Sequence, residues 1–278
     1  MKALFDKVSN KVSVITTKTY STSFSLGILC LDKKFHEQIY NIYGFVRFAD
    51  EIVDSFHGFD KETLLKEFKD ETYKAIERKI SLNPILNSFQ KVVHDYNIEK
   101  ELIDSFLKSM ECDLSVNMHN TRSYEQYIYG SAEVVGLMCL RVFTENDKDQ
   151  YEFLKPFAMK LGAAFQKVNF LRDMQADYKQ LERTYFPGVN METFDQPDKE
   201  NIELEIEEDF REALRGIRVL PASSRFGVYV AYIYYKILFN KIRKTSPGKI
   251  LNGRIRIPAH EKMLLLFTSY VRHTFRLI

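Results

Sequence analysis

The stretch Gln166–Pro187, QKVNFLRDMQADYKQLERTYFP, decides how this chain is read. Wound at ~100° per residue, it sets Gln166, Asn169, Asp173 and Asp177 within an arc of roughly 80°. Their neighbours Phe165, Val168, Phe170, Leu171 and Met174 are apolar, so the spacing predicts a helix buried on most sides. A buried carboxylate needs a partner or a cation. Two acids and two amides in one line offer the oxygen ligands that a hard cation such as Mg²⁺ takes. A solvated acidic stripe on a surface helix is the plainer alternative, and a single D-x-x-x-D does not exclude it.

A second copy of the arrangement lies much earlier in the chain. Tyr43-Gly-Phe-Val-Arg47-Phe-Ala-Asp50-Glu51-Ile-Val-Asp54 also reads as helix. Tyr43, Arg47, Asp50 and Asp54 fall within about 60° on the wheel. The intervening Phe45, Val46, Phe48, Ala49, Ile52 and Val53 predict burial here too. On an exposed helix, carboxylates at i and i+4 repel by only ~0.2–0.5 kcal/mol, so repulsion alone does not decide the matter. Burial raises the penalty, and two such faces in one chain point to a shared site.

Helical signals continue almost throughout, and no stretch alternates convincingly as a strand. Only 11 Gly and 7 Pro in 278 residues favour long helices over many turns, while 22 Phe and 16 Tyr supply an aromatic-rich interior. The patterning predicts helices over Thr19–Leu29, from Asp32 as N-cap through Asp54, and over Lys61–Lys79, Pro84–Tyr96, Glu99–Met118, Ser123–Phe143 and Asp149–Leu181. Asn190–Glu200 reads as a loop, followed by helices over Glu203–Arg218 and Pro221–Lys244. Thr245–Ile257 reads as irregular or hairpin-like, and a last helix is expected from Pro258 almost to the end. No linker divides the chain, so residues 1–278 are expected to form one all-α domain, a helical bundle with its site in a central cavity between facing helices.

Charge is unevenly spread. The net charge of +2 conceals ten acids between Glu192 and Glu212, then thirteen Lys or Arg against Glu261 alone from Ala213 onward. That basic carboxy-terminal segment is a candidate for salt-sensitive, peripheral contact with an anionic membrane. The most apolar run, Phe226–Phe239, contains Lys236 and is too short to cross a bilayer. Cys30, Cys112 and Cys139 form no C-x-x-C pair, and the start MKALFDKVSN lacks a signal-peptide core, so a reducing, cytoplasmic setting is expected. No pair of histidines stands at i, i+4, and neither G-x-S-x-G nor G-x-G-x-x-G occurs. The tyrosines of Tyr229–Tyr235 read as core rather than as stacking platforms, so no nucleic-acid partner is expected.

Asp50-x-x-x-Asp54 and Asn169-x-x-Arg172-Asp173-x-x-x-Asp177, followed by Arg183-x-Tyr185-x-Pro187, resemble the paired aspartate motifs of the squalene and phytoene synthases. Tyr20-Ser21-Thr22-Ser23-Phe24, Tyr129-Gly130-Ser131-Ala132 with Gly136, Tyr235 and Arg254 extend the resemblance over about nine-tenths of the chain. It implies an isoprenoid-synthase-like helical fold and the head-to-head joining of two prenyl diphosphates through a cyclopropylcarbinyl diphosphate. It further implies that Asp50, Asp54, Asn169, Asp173 and Asp177 hold Mg²⁺, with Mn²⁺ as an alternative. Arg47 and Tyr129 would join the four aspartates in catalysis, and Ser21, Ser23, Tyr43, Arg47, Gln166, Asn169, Arg172, Tyr235 and Arg254 would bind the substrates. Glu51, Glu133, Val134 and Glu182 depart from the usual family pattern.

Within the family, the Tyr185-Phe186-Pro187 ending and the compact length look like the bacterial carotenoid branch. The expected product is therefore phytoene, made from two geranylgeranyl diphosphates through prephytoene diphosphate without NADPH. Squalene or dehydrosqualene from farnesyl diphosphate is the alternative product, and a terpene cyclase is a further enzyme reading. A non-enzymatic helical scaffold is the alternative of another class. The oligomeric state is left open by the sequence.

Overall fold

A computed structural model describes residues 1–115, 119–181 and 183–258, together with 261, 265, 268 and 269. Its helices follow one another as α1 (Lys2–Tyr20), α2 (Thr22–Leu29), α3 (Lys33–Ser55), α4 (Lys61–Arg78), α5 (Pro84–Asp95) and α6 (Lys100–Ser115). Then come α7 (Thr121–Ile128), a π-helical segment (Tyr129–Glu133), α8 (Val134–Phe143), α9 (Lys148–Leu181), α10 (Gln196–Val219), α11 (Ala222–Arg243) and the short α12 (Pro247–Ile250). No strand occurs among the described residues.

Most boundaries follow from capping chemistry. The Asp32 side chain accepts from Lys34 N–H at the start of α3, Asp60 accepts from Thr63 N–H for α4, and Asn83 accepts from Ile85 N–H ahead of Pro84 for α5. Three expectations need correction. The chain is already helical from Lys2, and the break falls at Ser21, whose extended backbone ends α1 and caps α2. The loop after Asn190 is shorter than expected, because Asp195 accepts from Asp198 N–H and starts α10 seven residues ahead of Glu203, with Pro197 in its first turn. Thr245–Ile257 contains the short α12. The helix expected from Pro258 falls largely outside the described residues, as does Glu182.

Helix α9, 34 residues and therefore about 51 Å long, is the spine against which α8, α10, α11 and the π segment pack. A buried charge network joins it to α10: Lys167 Nζ lies 2.6 Å from Asp209, which also accepts from Lys160 at 2.8 Å, and Glu205 completes the group. On the other side of the molecule, α1 lies over α3 and α5, and the Phe45 ring stacks on Phe89 at 3.9 Å beside Phe68 and Phe106.

Two glycines let the π segment wedge between α6 and α9. A Cβ at Gly130 would meet the Ser105 carbonyl at 2.6 Å, and one at Gly162 would meet the Ala132 carbonyl at 2.7 Å. Backbone approaches this close tolerate only glycine. They bring Ser131 and Ala132 up to the central cavity.

Candidate active site

A cavity of about 420 Å³ runs between α2, α3, α6, α8, α9, α10 and α11. Both acidic faces open into it: Asp50 and Asp54 from the last turns of α3, Asp173 and Asp177 from the last turns of α9. Leu154 and Phe157, near the other end of α9, line the same cavity. At 1.5 Å per residue, Phe157 lies about 24 Å along the helix from Asp173. The pocket is thus acidic at one end and walled by Phe143, Leu154, Phe157 and Ile217 at the other.

The acidic end is held under electrostatic tension. Burial pushes the Asp50 carboxyl up to about 7, with neighbouring Asp54 adding to the rise and Arg47 opposing it. Asp177 is likewise pushed up to about 7 by burial, then by Asp173 and by Asp54 across the cavity. Asp177 therefore feels Asp54, so the acidic faces of α3 and α9 stand within electrostatic reach of each other.

Four groups at this end were not among the expected site residues. Asp113 of α6 is buried and pushed up to about 7, mainly by desolvation, with Arg183 and the Tyr127 hydroxyl opposing the rise. The Tyr127 hydroxyl donates to Asp113 Oδ2 at 3.0 Å. Arg183 is the hub. It donates through Nη1 to Asp54 Oδ1 at 3.0 Å and through Nη2 to the Asp113 carbonyl at 2.8 Å, and it stands 3.7 Å from the Asp113 carboxylate. Tyr185, also on the cavity wall, stacks on Phe170 at 3.9 Å. A signal for Asp113 was available, because it shares one ~80° arc of α6 with Leu102, Phe106 and Met110. A lone acid on an apolar stripe needs a partner.

The remaining predicted residues divide. Arg172 grips Asp173 in a fork, with Nε to Oδ1 at 3.0 Å, and Arg254 reaches the same carboxylate at 2.7 Å. The Tyr235 hydroxyl donates to Asn169 Oδ1 at 3.2 Å while its ring stacks on Phe165 at 3.9 Å. Gln166 donates to the Ser131 hydroxyl at 3.3 Å. Tyr43 stacks on Phe24, bonds to Ser21 and is pushed up to about 12 by burial.

Ser21 accepts from Phe24 N–H at 3.2 Å, so its hydroxyl serves as a helix cap beside the site. Arg47 pairs with Glu51 and lies over the Tyr20 ring at 4.4 Å, and its Nε is buried with no hydrogen-bond partner among the described residues. Ser21, Ser23, Arg47, Tyr129 and Arg254 do not line the cavity. Tyr129 sits about 200° around the helix from Tyr127, and Tyr127 is the tyrosine that faces in. Glu133 does not line the cavity either. It is pushed up to about 7 by burial, against the pull of Lys160 and Lys167.

The charge at this end does not balance. Among the described residues, Asp50, Glu51, Asp54, Asp113, Asp173 and Asp177 are six carboxylates against four arginines, Arg47, Arg172, Arg183 and Arg254. Among the described residues no three His, Cys, Asp or Glu side chains close on one point as a preformed metal site. The arginines already cover Asp173 and Asp54, whereas Asp50 and Asp177 carry the unrelieved charge. This carboxylate excess fits an added cation.

The squalene/phytoene synthase family profile matches residues 17–261. The chain is 24% identical to a phytoene synthase from Arthrospira platensis, over 92% of this chain and 90% of that protein. It is 29% identical to a 4,4'-diapophytoene synthase from Staphylococcus haemolyticus, over 64% of this chain and 61% of that one. A crystal structure of a dehydrosqualene synthase superposes with a TM-score of 0.82 at 23% identity, covering 98% of each chain, so the folds are alike.

Proposed function

Because this chain belongs to the squalene/phytoene synthase family, whose members act on prenyl diphosphates, we propose that it condenses two geranylgeranyl diphosphates head to head into phytoene, through prephytoene diphosphate. The observation that carries this reading is two acidic helix faces meeting at one end of a deep apolar cavity. An allylic diphosphate ionises when its C–O bond breaks and the electron pair leaves with the diphosphate. Charge on that leaving group must be met at the acidic end, and the carbocation must be kept from water. Asp50, Asp54, Asp173 and Asp177, with Asn169 beside them, would hold Mg²⁺ or Mn²⁺, which supplies Lewis acidity toward the diphosphate oxygens.

The chain's own residues supply the rest. Arg47 presents an unused donor, and Arg172 and Arg254 offer forked donors to phosphate once they turn from Asp173. Tyr43 and Tyr235 stay protonated at neutral pH, because burial raises both phenols, and so remain hydrogen-bond donors. Phe24, Phe165 and Phe157 line the cavity with ring faces that exclude water and tolerate a nearby cation. Loss of a proton, with no hydride from NADPH, ends the sequence.

The phytoene synthase likeness over nine-tenths of the chain supports geranylgeranyl diphosphate. The 29% identity to a 4,4'-diapophytoene synthase supports dehydrosqualene from farnesyl diphosphate as the second reading. The test offers purified protein each diphosphate with Mg²⁺, with and without NADPH, and identifies the hydrocarbon by mass. Phytoene from geranylgeranyl diphosphate is expected. NADPH-dependent squalene, with geranylgeranyl diphosphate left unused, overturns the proposed product.

A further inference from the structure

Helix α1 buries hydroxyls at its centre line and exposes aliphatics, with Val12 and Val14 partly packed on the core at the edges. Its buried face consists of Ser9, Ser13 and Thr17, each 0% exposed, while Leu4, Val8 and Ile15 face outward at 67%, 47% and 64%. On the wheel the three apolar residues share about 40° and lie roughly 160° from the centre of the hydroxyl face. A surface helix ordinarily does the reverse, burying its apolar side. The inward choice has a local cause. A Cβ at Gly44 of α3 would lie 2.9 Å from Ser13 Oγ, and Ser13 bonds to Ser88 of α5 at 2.8 Å, so α1 sits too close for large side chains. That close packing explains the serines. It does not explain why the solvent side is apolar.

Lys7, Lys11 and Lys18 run along one flank of the apolar stripe, within a second arc of about 40°. The helix holds four lysines (2, 7, 11 and 18) and one acid, Asp6, so it carries +3, more than the +2 of the entire chain. Asp6 is occupied by Lys2 at 2.5 Å and by Asn87 of α5 at 3.0 Å. The outward face is therefore apolar and basic. At its carboxy end, Tyr20 lies under Arg47 and Ser21 bonds to Tyr43, so α1 terminates at the acidic end of the cavity.

We propose that the outward face of α1, Leu4, Val8 and Ile15 with Lys7, Lys11 and Lys18, docks the protein on an anionic lipid surface. An apolar stripe flanked by lysines suits a helix lying in the headgroup plane. A second copy of this chain suits it less, because a self-complementary contact would gather six lysines, three from each copy, with no acid from α1 to meet them. The basic carboxy-terminal segment is a weaker candidate than its composition suggested. Arg215 pairs with Glu212 within α10, and Lys236 and Arg243 of α11 pair with Glu207 and Glu203 of α10, so part of the basic stretch is already met by the acidic one.

Flotation of the full chain with vesicles of phosphatidylcholine alone, or with added phosphatidylglycerol, at low and high salt tests this. Binding is expected on the phosphatidylglycerol vesicles and should weaken with salt. K7Q/K11Q/K18Q should bind roughly 100-fold more weakly, and L4Q/V8Q/I15Q should lose binding at both salts. Both variants should keep the wild-type melting temperature and the wild-type turnover in detergent micelles. Variants that float as the wild type does, or a wild type that does not float, would overturn the proposal. So would a wild-type dimer that L4Q/V8Q/I15Q dissociates without changing flotation, which would assign the face to a second copy.

Discussion

Replacing Arg183 by Met removes the hub of the acidic end while keeping an apolar stem of similar reach. Asp113 and Arg183 are both more than nine-tenths buried, and Asp113 is already pushed up to about 7 with the guanidinium present. Removing one partner of a buried pair typically costs about 3–5 kcal/mol, because the other charge is stranded. The Asp54 bond adds little, since that carboxylate is two-fifths exposed and can turn to water. Because Asp113 is pushed up to about 7, it can take up a proton instead, which limits the charge cost near pH 8 to about 1.4 kcal/mol, a fall in Tm of roughly 3–6 °C at ~2–4 °C per kcal/mol.

The pH dependence carries the mechanism. A carboxyl whose folded pKa lies above its unfolded value of 3.8 binds more protons folded than unfolded, so its contribution falls as pH rises through that window. Below about 7 a neutral Asp113 needs no guanidinium, and above it the variant's carboxyl, raised further without Arg183, holds its proton at a cost of about 1.4 kcal/mol per pH unit. Arg183→Met should therefore be destabilised near pH 8 and much less so near pH 5, and adding Asp113→Asn should recover most of the loss at pH 8. Thermal unfolding at the two pH values provides the measurement. An equal deficit at both, or no rescue by Asp113→Asn, would refute the charge argument and leave a packing defect as the explanation.

Asp50→Asn should fold normally, since shape is kept and a crowded charge is removed, and Asp173→Asn should fold with its amide oxygen still accepting from Arg172, yet both should lose turnover by orders of magnitude. Retention of most activity at saturating Mg²⁺ would remove that aspartate from the site. Glu133→Gln should raise Tm near pH 8 and leave it unchanged near pH 5, because burial lifts this carboxyl from 4.5 to about 7 and only its ionised form is penalised. Gly130→Ala sets a Cβ 2.6 Å from the Ser105 carbonyl, and the forced shift should cost about 1–3 kcal/mol in urea unfolding.

Periodicity found most of the helices, though not α1 or α12, and aligned Asp50 with Asp54 and Asn169 with Asp173 and Asp177, because i, i+4 neighbours on a helix share a face whatever surrounds them. The motif resemblance likewise rests on short spacings within single elements. Other features depended on packing. Asp113, Tyr127 and Arg183 gather beside Asp54 because α6, α7 and the segment after α9 converge on the end of α3; the apolar arc around Asp113 showed that it needed a partner, but not which one. The exchange of Tyr129 for Tyr127 turned on the orientation of α7 and the π segment, which Gly130 and Gly162 set by admitting backbone contact. Composition made the carboxy-terminal half look like a free basic surface, but Glu203 and Glu207 of α10 pair with Lys236 and Arg243 of α11, and Arg215 is paired within α10. The close approach of Gly44 turned the serines of α1 inward. Local spacing is written into the chain at a range of a few residues, whereas a charge's partner and a helix's buried side depend on residues many turns away, and only packing brings those together.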